Sequence, residues 1–78
     1  MVSERTATWA ATATTADLLW HYHNNLYAIR HNRERIAMGG VELSEIDFRA
    51  RIVQSDVDAV RVIVAELRRR GHSVDWEE

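Results

Sequence analysis

From Ile46 to Leu67 the aliphatic positions recur at alternating steps of four and three: Ile46, Ala50, Val53, Val57, Val60, Val64, Leu67. That is the seam of a helix packed lengthwise on another helix. Phe48, Ile52, Ala59 and Ile63 make a second stripe beside it. The β-branched run Val60-Arg61-Val62-Ile63-Val64 alone would suit a strand, but the sustained seam and the signals at both ends outweigh it. The spacing predicts a helix over 45–70. Ser44 is placed to cap its start, with Asp47 at the third helical position as a short-armed capping box. Leu43 and Phe48 have the spacing of a hydrophobic staple. Gly71 follows the last periodic residue, where a left-handed residue ends a helix at least cost. Glu45 and Asp47 suit the positive end of the helix dipole, and Arg68, Arg69 and Arg70 the negative end. Glu45–Arg49, Asp47–Arg51 and Glu66–Arg70 are favourable pairs one turn apart.

A second periodic stretch predicts a helix over 15–38, stopped by Gly39-Gly40. It too carries two stripes. One is Leu19, Tyr22, Leu26, Ile29, Arg33, Ile36. The other is Trp9, Ala13, Ala16, Trp20, His23, Tyr27, and it runs back into the Thr/Ala-rich residues 1–14. This helix therefore either begins near residue 4, with Ser3 as its cap, or breaks near Thr14-Thr15. The two stripes lie roughly 100° apart on the helix, too far for one neighbour to cover both.

The short link from Gly39 to Leu43 predicts an antiparallel hairpin within a single all-α domain over 1–78, with 71–78 as an acidic tail in which Val74 and Trp76 can fold back. A lone hairpin leaves Trp20, Tyr27, Phe48, Ile52 and Ile63 partly wet. Pairing two hairpins into a dimeric four-helix bundle covers them, with Tyr22, His23, Leu26, Phe48, Ile52, Val53, Val60 and Ile63 as the expected interface. The rival is a monomeric three-helix bundle in which residues 4–13 fold back as a short helix.

Composition favours association. A chain of 78 residues hides only about 60% of its unfolded surface, and chains this short usually add a disulfide, a metal or a partner. No cysteine is present, so disulfides and thiolate metal sites are excluded, and a cytoplasmic location fits. The net charge of −2 gives no bulk attraction to nucleic acid or to an anionic membrane. No apolar run approaches the roughly 18 residues of a membrane span, and the N-terminal residues do not read as a signal peptide.

The densest candidate chemistry is His21-Tyr22-His23-Asn24-Asn25-Leu26-Tyr27-Ala28-Ile29-Arg30-His31. On a helix, His21 and His23 diverge by about 200°, and His23 and His31 stand about 12 Å apart, so no two of these three chelate one ion. His72 can approach His21 and Asp17 across the hairpin, a weak metal site at best. No metal or cofactor is expected. The stronger reading makes His23 and Tyr27 half-buried interface groups, so that assembly weakens below about pH 6.5 as the imidazole charges. Catalysis lacks a cysteine nucleophile, a Gly-rich phosphate loop and a Ser-His-Asp order, and Asp56 and Asp58 diverge on a helix. An enzyme would have to use an Arg-lined anion pocket built from Arg30, Arg33 or Arg51. A DNA regulator would have to grip phosphates with Arg68–Arg70, against the lack of any basic stripe. The expected function is a non-enzymatic, homodimeric protein-interaction module: a regulator, an inhibitor or a small subunit. Trp9, Trp20, Tyr27 and Trp76 are its candidate contacts with a protein partner.

Overall fold

The structure is a computed structural model that describes residues 4–77. Three helices follow one another: α1 (Glu4–Thr12), α2 (Thr15–Met38) and α3 (Leu43–Arg69). No strand occurs among the described residues. The elongated body measures 43 × 24 × 18 Å.

From Glu4 onward the Thr/Ala segment is neither an unstructured arm nor a simple extension of the next helix. It forms a helix of its own and then breaks. Thr12 turns its hydroxyl back to donate to the carbonyls of Thr8 and Trp9, at 3.3 and 3.1 Å. Thr14 is extended (φ −69°, ψ 155°), and its hydroxyl accepts from the Asp17 N–H at 3.1 Å. Threonine competes with the helical backbone in this way, and an extended threonine makes a good N-cap. The stripe from Trp9 to Tyr27 is therefore cut at Thr14. The Ser3 cap lies outside the described residues.

α2 and α3 form the expected hairpin, and the order of contacts makes it antiparallel. Leu18, early in α2, clusters with Ile63 and Leu67, late in α3. Farther along α2, Ile29 meets Val57, Val60 and Val64. Farther still, the Asn32 side-chain carbonyl accepts from Arg49 at 2.8 Å. Gly39 and Gly40 both have positive φ, 75° and 74°, which a residue without Cβ adopts most cheaply.

The start of α3 departs from expectation. The helix begins at Leu43, two residues before 45, after an extended Glu42 whose side chain makes no capping bond. Ser44 thus lies inside the first turn. Leu43 is 85% exposed and Phe48 63% exposed, so no buried staple holds this end. The helix starts as soon as the chain leaves the glycine turn, and its free N–H groups face water. The other end matches the sequence signal closely. Gly71, with φ 89°, follows the helix. His72 N–H reaches the Leu67 carbonyl and Gly71 N–H reaches that of Arg68, both at 3.0 Å. This is the Schellman closure that satisfies the last carbonyls of a helix.

Two buried clusters hold the fold. Ala10, Leu18, Ile63 and Leu67 make one; Ile29, Val57, Val60 and Val64 make the other. Tyr22 and Val74 pack against both. α1 thus covers Ile63, a side chain that a bare hairpin would leave partly wet. Val60 and Ile63, expected between two copies, are enclosed within one chain at 0% and 1% exposure.

All three arginines that close this end, Arg68, Arg69 and Arg70, serve internal contacts. Arg70 donates to the carbonyls of Ala10, Ala11 and Ala13 at 3.2, 3.4 and 2.7 Å, and to the Thr15 hydroxyl at 3.1 Å. Its guanidinium thereby caps the C-terminus of α1, whose last carbonyls otherwise lack partners. Glu66 anchors it at 2.8 Å and also takes Arg69 at 2.6 Å. Arg69 and Arg70 together hold the Glu66 carboxyl down at about 2, from an ordinary 4.5. Arg68 donates to the carbonyls of Val74 and Trp76, at 2.9 and 3.1 Å, and lays the tail along the hairpin. The expected pairs Glu45–Arg49 and Asp47–Arg51 form at 3.0 and 2.9 Å.

Candidate functional site

The helix geometry of α2 separates its faces. The buried line is Leu18, Tyr22, Asn25, Ile29, Asn32, Ile36, at steps of four and three. Trp20, His23, Tyr27 and His31 fall roughly 180° away, on the outer side. Trp20 is 62% exposed and Tyr27 68% exposed, and His23 and His31 are exposed as well. Tyr27 and His31 stack with ring centres 6.1 Å apart and planes at 6°. His21 takes edge-on contacts from Trp9 at 4.7 Å and Trp20 at 4.9 Å. The stripe thus carries a ring contact at each end, on a spacing that the helix sets.

The four aromatic contact candidates divide into two pairs. Trp9 packs against the Leu18–Leu67 cluster, and Trp76 packs against the Ile29–Val60 cluster, both half-buried. Trp20 and Tyr27 stand in solvent. Of the expected interface residues, Tyr22, Leu26 and Val53 line the core edge, Ile52 is half-buried, and His23 and Phe48 are exposed. Among the described residues no three His, Asp or Glu side chains converge to hold a metal ion.

A cleft flanks α2 about a quarter-turn from the stripe. Leu26, Ile29 and Ala37 give it an aliphatic wall, with Arg30, Arg33 and Glu34 at its rim, in an open volume of about 490 Å³. A narrower hollow of about 110 Å³ adjoins it, lined by Leu26, Ile29, Arg33, Val57, Trp76 and Glu77. Neither Arg30 nor Arg33 forms a hydrogen bond or ion pair with another described residue. Arg51, the third arginine of the expected anion pocket, lies apart from this cleft and pairs with Asp47.

Sequence reasoning missed Leu18, Asn32 and Arg70. The first two belong to the true buried line of α2, hidden by its two asparagines. Asn32 is 7% exposed; it donates to the Ala28 carbonyl at 2.8 Å and accepts from Arg49, which Glu45 holds in turn. Its polar atoms are thus satisfied, which makes burial tolerable. The four-three spacing from Leu18 to Ile36 was the available signal. For Arg70 the one cue was its place at the end of a three-arginine run, which is equally the signature of an ordinary dipole-complementing helix end.

Comparison with protein-family models, with curated proteins and with solved structures yields no match.

Among the described residues no helix is long and apolar enough to cross a membrane.

Proposed function

We propose that this chain is a non-enzymatic protein-interaction module of the cytoplasm that pairs with a second copy through the outer face of α2. The observation that carries the reading is the placement of Trp20 and Tyr27: two large aromatic side chains, seven residues apart on one helix face, stand in water opposite the core. Such residues dominate association energetics when desolvated. Two α2 stripes laid together across a two-fold axis set the hairpins back to back, α2 against α2, with each α3 and α1 on the outer side, so the pair is a row of hairpins and not the expected four-helix bundle around one core.

Of the alternatives, the DNA-binding reading is the weaker, because Arg68, Arg69 and Arg70 are engaged with the tail, Glu66 and α1. Sedimentation or light scattering tests the proposal. The expected mass at micromolar concentration is twice the 9.0 kDa of the chain. The Trp20→Ala/Tyr27→Ala double variant is expected to return to the single-chain mass with its helicity unchanged. A wild-type chain that stays single at hundreds of micromolar overturns the pairing.

A further inference from the structure

We infer that the cleft along α2 is a binding groove for an acidic, tryptophan-bearing peptide segment of a partner protein, and that the chain's own tail partly occupies it. The tail supplies the evidence for the ligand's chemistry. Val74-Asp75-Trp76-Glu77 leaves α3 and runs beside α2, fastened by Arg68 through two of its carbonyls. Trp76 seats against Ile29 and Val57, and Glu77 lines the hollow beside Arg33. The same Leu26, Ile29 and Arg33 then continue into the open cleft, where Arg30 joins them and no described residue fills the space. One groove thus has an occupied segment and an empty one, with a shared wall.

The empty segment has complementary chemistry to what sits in the occupied one. Its wall is aliphatic and suits an indole or a large apolar side chain. Its rim carries two guanidinium groups with no described carboxylate partner and one carboxylate, Glu34. In this open segment two guanidinium groups face one carboxylate, Glu77 lying in the occupied segment, and a guanidinium beside apolar surface favours a carboxylate, which it can hold through two parallel hydrogen bonds. An extended segment of aromatic and acidic residues satisfies both features at once. The cis tail supplies one such segment and competes with any other for the shared wall. This groove lies on a different flank from the Trp20–Tyr27 stripe, so the inference stands whether or not the chain pairs.

Fluorescence anisotropy with the full chain and a labelled, end-blocked peptide of sequence His-Ser-Val-Asp-Trp-Glu tests it. Saturable one-to-one binding that weakens with added salt is expected. Arg30→Ala/Arg33→Ala is expected to weaken binding at least tenfold without loss of helicity. Trp76→Ala in the chain is expected to tighten it several-fold by vacating the shared wall. Arg68→Gln loosens the tail while keeping the indole, and is expected to act in the same direction should Trp76→Ala unfold. No saturable signal at millimolar chain, or binding indifferent to the arginine substitutions, overturns the inference. A rise in mass that Trp76→Ala abolishes, in place of one-to-one binding, assigns the groove to a second copy's tail and overturns the partner reading.

Discussion

At one end of the rod, Ile63 and Leu67 of α3 are enclosed between α1 and α2; at the other, Leu43 and Phe48 of the same helix stand in water. Both ends of α3 carry large apolar side chains, so their presence alone does not separate them. What separates them is a third element. α1 folds back over the late part of α3, and Arg70 fixes it there through three carbonyls and a hydroxyl. No described residue folds over the glycine turn, where Asn32, Arg49 and Glu45 form a polar layer in place of an apolar core. A two-helix contact encloses one stripe on each helix; only a third helix encloses the next one.

The contrast is sharpest in core truncations. Leu67→Ala, at a fully buried site, is expected to destabilise the chain by about 2–5 kcal/mol, while Leu43→Ala at the open end should stay within about 0.5 kcal/mol. Urea unfolding followed by circular dichroism compares the two directly, and equal losses would break the distinction between the ends. Next in size is Arg70→Gln. It removes the cap from α1 and leaves the part-buried carbonyls of Ala10 and Ala13 short of a donor, an expected cost of about 1–3 kcal/mol. Hydrogen exchange should speed up in α1 well before it does in α3; uniform acceleration would mean that Arg70 acts on the whole fold and not on the docking of α1.

The smallest effect is electrostatic. Glu66 titrates at about 2 in the fold and near 4.5 when unperturbed, because Arg69 and Arg70 hold its charged form. A depressed carboxyl contributes stability that is complete above about pH 4.5 and is lost as the pH falls toward 2. The stability gap between wild type and Glu66→Gln should therefore be level above pH 5 and close on acidification. Because Arg69 is mostly exposed while Glu66 and Arg70 are largely covered, added salt should shrink the Arg69 share of it first. A gap that persists unchanged at pH 2 would remove the carboxylate from the clamp.

Much of the α2–α3 hairpin was legible because its signals are local. The bounds 15–38 coincide with those of α2, and the Gly71 stop and the pairs of Glu45, Asp47 and Glu66 with arginines one turn later all form. Each depends on residues within a turn or so of one another. The start of α3 was misplaced by two residues because Ser44 resembles a cap, whereas the glycine turn lets the helix begin earlier. Of the candidate site, the Trp20–Tyr27 spacing was legible, but the division between solvent-facing Trp20 and Tyr27 and core-packed Trp9 and Trp76 was not. That division follows from where α1 and the tail fold back.

By itself, the pattern of residues determined that two long helices form, where the second ends, and that each carries more apolar surface than one neighbour hides. Only the tertiary structure decided which of those surfaces closes within the chain. Helix periodicity is a property of neighbouring residues, readable wherever they occur. The docking of α1 and of the tail depends on Arg68 and Arg70 meeting carbonyls brought near by the turns, and backbone carbonyls look the same in every sequence.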